Sequence, residues 1–380
     1  MIDPLEHIRH LAQTIGPRPS TGEGERKAAA YVGGQLEAFG YSVKEEAFRS
    51  PNSFSQVYIP IYVLALMGFA AFALGSLAFA LLLTGVAFVC FVGENTTALK
   101  LVSAVIPKAK SQNVVARLAP RELPRRRLVM VAHLDSTRSG LMWHPRLVKS
   151  FRATFLVLTV CLAVLPLCVV AEVATAKRFF FPVSVPFAFY VAYALLLLLH
   201  REFFFGHVDG ANDNASGLAV MLTMAEALSL DAPADTEVLA VATGCEEAGM
   251  VGMQSFLRRH KDELARAWII NIDNVGAGDV KFTTREGMLL PHRTGRELTE
   301  TAFKVSKLPG INVTGAPFRT MSNDTEPALL RGLEAITVIA VRDGVPVNWH
   351  WKTDTFENID ADSVDMAYRF VEQLVRRLIV

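Results

Sequence analysis

Five short segments of the sequence place histidines or acidic residues at the ends of apolar, strand-like runs or next to a predicted helix. They are residues 133–135, 209–217, 243–249, 270–276 and 349–354. In open α/β sheets, binding sites form at the carboxyl ends of the strands, where side chains from different strands can meet. Histidine nitrogens and carboxylate oxygens without thiolates suit zinc, with manganese or cobalt as alternatives. Together the segments predict a metal site at one edge of a sheet.

Each segment alone has an ordinary structural interpretation. His133 and Asp135 would share one side of a strand, so Asp135 could orient a histidine ligand, but such a pair is more often structural. The acidic run at residues 209–217 is equally typical of a helix N-cap. A single histidine between Trp349 and Trp351 is usually structural. The functional interpretation therefore depends on the combination.

Glu246 and Glu247 are adjacent carboxylates directly after an apolar strand. Two such groups repel each other unless cations compensate their charge. One glutamate as a metal ligand and its neighbour as a general base is a chemically sensible division. Cys245 is interpreted as a small buried residue rather than a nucleophile, because no basic residue is adjacent.

The elements that would position these residues alternate between strand and helix. Strand-like runs cover residues 41–48, 113–118, 128–133, 237–243, 267–272 and 336–341, and helical patterns cover residues 4–15, 22–39, 215–230, 250–260 and 361–378. This alternation predicts an α/β fold with a central mixed, mostly parallel sheet and helices on both faces.

Composition limits the class of protein. Of the 380 residues, 51% are hydrophobic and 20% are charged, which excludes a disordered chain. The mean hydropathy of +0.31 is too high for an ordinary soluble enzyme of this size. A net charge of +1 argues against a nucleic-acid partner. The four cysteines lie in apolar or strand-like runs, so a disulfide scaffold is not expected.

Three runs carry no charged residue, and they predict about four transmembrane helices in two hairpins. Residues 153–171 and 179–199 each match one helical crossing of a bilayer. Residues 57–93 would reach about 55 Å as one helix, so we expect a fold at Gly75 and Ser76. The alternative is that one or two of these helices are buried core helices, but a core helix rarely lacks a polar face.

Taken in order, the five polar segments resemble those of the two-zinc aminopeptidase family, whose superfamily includes glutamate carboxypeptidase II and the glutaminyl cyclases. The resemblance extends to residues 15–18, residues 21–22 and the closing residues 354–360. It implies a zinc-peptidase/phosphorylase-like sheet in a membrane-embedded member of the family. The expected domain boundaries are peptidase segments at residues 1–56, 94–150 and 201–380, with transmembrane hairpins at residues 57–93 and 151–200.

The resemblance also implies roles for individual residues. Its zinc ligands, for two ions per chain, would be His133, Asp213, Glu247, Asp273 and His350. Asp213 would bridge both metals, Glu246 would be the general base and acid, and Asp135 would support His133. The implied protein is a membrane-anchored exopeptidase, with a metallo-aminopeptidase that uses a water activated by two metals as the leading interpretation. A glutaminyl cyclase-like enzyme, a carboxypeptidase-like enzyme and a non-catalytic scaffold stay open as alternatives.

The sequence departs from the family pattern at three places. His133 and Asp213 are 80 positions apart, although family members place them close together, and the second predicted hairpin fills the gap. Trp351 stands where the family often has threonine. Residues 322–325 read Ser-Asn-Asp-Thr, where the family often has Ser-Asp-His. The substrate side of the pocket and any oxyanion donor therefore stay open.

The charge pattern also predicts an orientation in the membrane. Most lysines and arginines flanking the apolar runs lie on the side of the globular domain, whereas Lys177 and Arg178 flank the opposite side. Residues 1–48 contain several charges and no apolar signal-peptide core. We therefore expect a cytoplasmic catalytic domain, with peptides and the lipid bilayer as partners. The oligomeric state stays open.

Overall fold

The chain forms two compact units in a computed structural model that describes residues 2–96 and 99–379. The first, called the sheet unit below, comprises Met1–Asn52, Lys108–Ser139 and Gly206–Val380. The second, the helical unit, comprises Ser53–Pro107 and Gly140–Phe205. The two units thus alternate along the chain.

A mixed sheet forms the centre of the sheet unit. Its strands are β1 (Ser42–Ser50), β2 (Ala109–Leu118), β3 (Arg126–His133), β4 (Thr236–Thr243), β5 (Ala267–Asp273), β6 (Asp279–Glu286), β7 (His292–Arg293), β8 (Thr314–Phe318) and β9 (Glu334–Val341). Their order is β1-β2-β4-β3-β5-β9-β6-β7, with β8 beside β6. The central strands β4, β3, β5 and β9 are parallel, and β1, β2 and β6 add antiparallel pairs. The prediction of an α/β fold with a mixed central sheet is confirmed.

The helices appear in both units. They are α1 (Pro4–Arg9), which continues into a π-helical segment (His10–Ile15), α2 (Glu23–Ala38), α3 (Ser55–Ala73), α4 (Leu77–Asn95), α5 (Leu101–Val105), α6 (Phe151–Thr175), α7 (Phe180–Phe204), α8 (Gly217–Leu230), α9 (Val251–Arg259), α10 (Arg296–Val305), α11 (Glu326–Leu329) and α12 (Ala361–Leu378). Of these, α3 to α7 belong to the helical unit and the others to the sheet unit.

Both faces of the sheet are buried, which explains why its central strands are apolar throughout. Leu128 and Met130 of β3 pack into the core shared with α1, α2, α8, α10 and α12. Val129 and Val131, which alternate with them, pack on the other face against α9 and α11. Parallel strands covered on both faces need apolar residues at every position, not only at alternate ones.

The helical unit contains four helices that are long and apolar enough to cross a bilayer: α3, α4, α6 with the short turn before it, and α7. Only 22–39% of the residues in their most apolar windows are buried within the protein. Well over half of the residues in these windows therefore keep some exposed surface. The prediction of four such helices is confirmed by length and composition.

Polar contacts tie the ends of these helices together. Arg201, in the last turn of α7, is buried and donates hydrogen bonds to the hydroxyls of Ser53 (3.1 Å) and Ser55 (3.0 Å). Its guanidinium also lies 4.4 Å from the ring centroid of Phe54. Arg201 thereby joins the start of α3 to the end of α7.

The chain leaves the sheet unit twice, and in both cases the residues on either side of the insertion are in contact. Ser50 and Ala109 are paired residues at the ends of the neighbouring antiparallel strands β1 and β2. At the second place, the Ser139 amide donates a hydrogen bond to the Gly206 carbonyl at 2.9 Å, and Arg138 forms a β-bridge with His207. The residues before and after each insertion of the helical unit are therefore neighbours within the sheet unit.

Candidate metal centre

The parallel strands bring the predicted ligands to one edge of the sheet. His133 ends β3, Asp273 ends β5, and Glu246 and Glu247 lie in the turn after β4. His350 lies in the loop after β9, and Asp213 lies in the turn before α8. All of these side chains, and that of Asp135, are buried. The structure thus brings together all seven residues singled out in the sequence.

Asp213 lies between two groups of candidate ligands. Its Oδ1 is 3.0 Å from His133 Nε2, which in turn is 3.6 Å from Asp273 Oδ1. Its Oδ2 is 3.0 Å from His350 Nε2, which is 3.2 Å from Glu247 Oε1. Within each group the candidate ligand atoms lie within 4.8 Å of one another. A carboxylate with one oxygen in each group has the arrangement needed to bridge two cations.

The donor set fits metal ions better than it fits a closed hydrogen-bond network. Among the residues that the structure describes, the nearest donor to the buried carboxylate of Glu247 is His350 Nε2, 3.2 Å from Oε1, which is itself a candidate metal ligand. Burial of this kind is costly for a carboxylate unless a cation or donor compensates it. Two imidazoles and three carboxylates at these positions are ligands that zinc accepts.

Burial and neighbouring charges shift the pKa values of the site. Burial alone would raise the pKa of Asp213, but hydrogen bonding to His133 and His350 outweighs it and lowers that pKa. Although burial opposes it, the neighbouring Glu247 and Asp213 raise the pKa of His350 to about 9. Burial raises the pKa of Glu246 well above its usual value, and the charges of Glu247 and Asp324 add to the effect. The site therefore carries an excess of negative charge that cations would offset.

Asp135 contacts both His133 and the turn that carries the two glutamates. Its carboxylate accepts hydrogen bonds from the amides of Glu246 (3.0 Å) and Glu247 (3.1 Å), and from the hydroxyl of Ser20 (2.6 Å). His133 Nδ1 lies 3.0 Å from the carbonyl oxygen of Asp135 and 3.6 Å from its carboxylate. The backbone of Asp135, more closely than its side chain, therefore contacts the imidazole.

Three buried residues support the site in ways that the sequence did not indicate. Asp354 accepts hydrogen bonds from the amides of Asn212 (2.6 Å) and Asp213 (3.2 Å). Burial, with the charge of Asp213, raises the pKa of Asp354 to about 7. Asp324 accepts a hydrogen bond from Thr243, at the end of β4. The acid-rich closing segment was a signal for Asp354, but Asp324 lies in the loop where the sequence departs from the family pattern.

Arg18, the third of these residues, joins the chain on either side of the long interval between His133 and Asp213. Its fully buried guanidinium donates hydrogen bonds to the carbonyls of Leu134 (2.8 Å), Asp209 (2.6 Å) and Gly210 (2.8 Å). Gly210 has a φ of +64°, and a Cβ there would lie 2.7 Å from Arg18 Nη2. Glycine is therefore required where Asp213's turn approaches the arginine.

A small, partly open pocket lies beside the candidate ligands. Its polar side is formed by His133, Asp213, Glu246, Asp273 and His350. The other lining residues are the apolar Phe318, Met321, Ile339, Pro346 and Trp349 and the polar Asn274, Ser322 and Asn323. A ligand in this pocket would lie beside both the candidate metal ligands and several apolar side chains.

Comparison with known proteins links this geometry to peptidases. Residues 196–375 match the model of peptidase family M28, a segment that contains the candidate ligands except His133. The chain is 33% identical over 112 residues to the alkaline phosphatase isozyme conversion protein of Escherichia coli, covering 29% of this chain and 32% of that protein. It is 42% identical over 69 residues to aminopeptidase YwaD of Bacillus subtilis, covering 18% and 15%. The matches thus span about a third or less of these relatives.

Solved structures are similar over nearly the whole chain. The zinc aminopeptidase BSAP of Bacillus subtilis gives a TM-score of 0.59 at 15% identity, covering 99% of this chain and 94% of that one. The glutaminyl cyclase of Bacteroides thetaiotaomicron bound to N-acetylhistamine also gives 0.59 at 15% identity, covering 98% and 96%. The fold is therefore one that aminopeptidases and cyclases share.

Proposed function

We propose that this chain, whose predicted resemblance to the two-zinc aminopeptidases is confirmed by its match to peptidase family M28, is a membrane-anchored zinc aminopeptidase. The observation that carries the proposal is the position of Asp213, with one carboxylate oxygen facing each histidine. A carboxylate shared in this way would hold two metal ions close together, as in hydrolases that use two metals.

The residues for two zinc ions are divided between the two groups. His133 and Asp273 would hold one ion, Glu247 and His350 would hold the other, and Asp213 would be shared. Zinc would supply a Lewis acid for the substrate carbonyl and would favour deprotonation of the attacking water.

Glu246 would act as the general base and general acid of the reaction. Its side chain lines the cavity beside the metal ligands, and its amide is held by Asp135. The Glu246 carboxylate would take a proton from the attacking water and return it to the nitrogen of the departing amine. Glu247, one residue further on, would stay a ligand throughout.

The apolar side of the cavity suggests which N-terminal residues are accepted. Phe318, Met321, Ile339 and Trp349 would contact the side chain of the residue that is released. Burying an apolar side chain against this wall is favourable, whereas burying a charged one without a partner is costly. We expect faster hydrolysis of substrates with an apolar first residue than with lysine or aspartate there.

The four apolar helices would anchor the enzyme as two hairpins inserted into one peptidase domain. Their outward apolar side chains would face lipid acyl chains. Most of the lysines and arginines that flank the apolar helices lie at the helix ends connected to the sheet unit. Positive residues of this kind favour the cytoplasmic side of a membrane, so we propose a cytoplasmic catalytic domain.

A glutaminyl cyclase-like activity is the second candidate, because the cyclase structure is as similar as the aminopeptidase. The presence of both ligand groups favours the hydrolase. A carboxypeptidase-like function would need the substrate to bind in a different orientation. A scaffold function would be expected of a chain that has lost its metal ligands.

The test combines metal content with activity. Full-length protein, purified in detergent, is assayed for zinc per chain and for hydrolysis of a panel of aminoacyl amides, with and without a chelator. About two zinc ions and chelator-sensitive release of the first residue support the proposal. Cyclisation of a glutaminyl peptide without amide hydrolysis would favour the cyclase, and absence of bound metal would favour a scaffold.

A further inference from the structure

The turn at residues 244–247 carries the two site glutamates. Each of its four backbone amides donates a hydrogen bond to a buried side-chain oxygen. The pairs are Gly244 to Asn113 Oδ1 (3.1 Å), Cys245 to Glu25 Oε1 (2.8 Å), Glu246 to Asp135 Oδ1 (3.0 Å) and Glu247 to Asp135 Oδ2 (3.1 Å). The conformation of this turn therefore depends on three acceptors from distant parts of the chain.

Glu25 is the acceptor that the proposed mechanism does not otherwise use. It lies in the first turn of α2 and is fully buried. Its Oε2 accepts from the Thr21 amide (2.9 Å) and the Ser111 hydroxyl (2.8 Å), which fastens the start of α2 to β2. Its Oε1 accepts the hydrogen bond from the Cys245 amide and lies 3.4 Å from the Cys245 thiol. The carboxylate thus joins the segment just before α2 to the turn at residues 244–247.

Cys245 has an unusual backbone conformation that this contact maintains. Its φ is +53°, in the left-handed region that a residue with a Cβ seldom adopts. Such strain persists when surrounding contacts hold it. Because Cys245 immediately precedes Glu246, its backbone angles set the directions of both glutamates.

We propose that Glu25 is a positioning residue: by holding the Cys245 amide, it directs Glu246 toward the substrate and Glu247 toward the metal. The proposal rests on the function proposed above for these two glutamates. Glu25 itself lies outside the cavity and would touch neither substrate nor metal.

A glutamine at this position separates the positioning role from simple packing. Glutamine has the same shape, but only one of its two terminal atoms accepts hydrogen bonds. With backbone donors on both sides, one at Thr21 and one at Cys245, its NH₂ group must oppose one of them. The isosteric substitution therefore releases the Cys245 turn or the start of α2 without creating a cavity.

The first measurement is hydrogen–deuterium exchange of the full-length, metal-free protein in detergent. In Glu25→Gln, we expect peptides containing residues 244–247 to exchange about tenfold faster, while the strands β3 and β5 keep their protection. Glu23→Gln is the matched control, because Glu23 lies on the same helix and forms an exposed ion pair with Lys27. It should exchange as the unsubstituted chain does.

The second measurement is steady-state hydrolysis by the zinc-loaded protein. Glu25→Gln should lower kcat about tenfold or more with little change in KM and with zinc content maintained. Adding Cys245→Gly should restore part of the lost kcat, because glycine adopts a positive φ without strain. A general loss of packing would not be rescued by glycine at this one position.

The outcomes separate this inference from the proposed function. Unchanged exchange at both residues 244–247 and the start of α2, together with unchanged kcat in Glu25→Gln, would overturn the positioning role, as would equal acceleration of exchange throughout the sheet. If the unsubstituted protein bears no peptidase activity, the proposed function fails, while exchange still tests the hold on Cys245. Should Glu25→Gln not fold, or free only the start of α2, Glu25→Asp shortens the side chain so that its carboxylate withdraws from the Cys245 amide, and unaltered exchange at residues 244–247 would then contradict the inference.

Discussion

At the scale of single residues, the strongest prediction concerns Asp213. Its two oxygens lie 3.0 Å from different histidines, so its loss should weaken both metal sites together. We expect Asp213→Ala to lose most of its zinc, from about two ions per chain to well below one, as measured by elemental analysis after gel filtration. Asp209→Asn, in the same loop but only half-buried, should keep its zinc. Near-full zinc in Asp213→Ala would exclude the bridging role.

Glu246 and Glu247 are neighbours in sequence with different expected roles. Glu246→Ala should keep its zinc and lose hydrolysis by about 10²–10⁴-fold, because a general base contributes roughly that much. Glu247→Ala should lose zinc as well as activity, since its carboxylate lies beside His350. The measurement is zinc content alongside kcat for both variants. Hydrolysis that persisted in Glu246→Ala would mean that another group serves as the base.

The sequence predicts the members of this site better than their supports. Each candidate ligand could be found because it ends a strand or borders a helix, which is a local pattern. The hydrogen bond from the Cys245 amide to Glu25, by contrast, joins residues 220 positions apart. Arg18 binds the carbonyl of Gly210 across a comparable separation. No local pattern encodes such contacts, because they exist only once the sheet has assembled.

At the scale of helices and strands, the elements with a clear hydrophobic repeat are the ones that the sequence predicts. The last helix, Ala361–Leu378, has the predicted bounds, because its buried residues Val364, Ala367, Phe370, Val371 and Leu374 follow the helical repeat. The strand Asp279–Glu286 and the helix Arg296–Val305 were not predicted. The strand mixes charged and polar residues with few apolar ones, since it lies toward the edge of the sheet.

The contact between α1 and α2 predicts a dependence of stability on pH. Burial lowers the pKa of His7 to about 4, and its Nδ1 lies 2.7 Å from the Tyr31 hydroxyl. The folded state therefore binds this proton less readily than the unfolded state, where the pKa is about 6.5. The contribution is full above pH 6.5 and is lost as the pH falls toward 4, by at most about 3 kcal/mol. Thermal unfolding midpoints of the unsubstituted chain should fall more steeply across this interval than those of His7→Asn. Parallel curves would contradict the assignment.

At the scale of the whole molecule, the sheet unit has the features of a domain that can fold without the helical unit. Its two large apolar clusters consist of its own strands and helices. Ser50 and Ala109 are directly paired, so a tight turn can join β1 to β2. Ser139 and Gly206 are hydrogen-bonded, so a short linker can replace the second interval. If the four helices cross a bilayer, the even number of crossings in each interval returns the chain to the same side, as this arrangement requires.

Removing both intervals should therefore yield a water-soluble enzyme. We expect a chain in which residues 53–107 and 140–205 are replaced by short polar turns to remain monodisperse without detergent, bind zinc as the full chain does, and retain its kcat for small amides within about tenfold. Chains lacking only one interval should still need detergent, because two outward-facing apolar helices remain. If these helices were instead buried core helices of a soluble protein, their removal would expose the surface they cover, and the shortened chain would aggregate and lose its zinc. The solubility and zinc content of the three shortened chains thus decide whether the helices are membrane anchors inserted into a peptidase domain or part of its core.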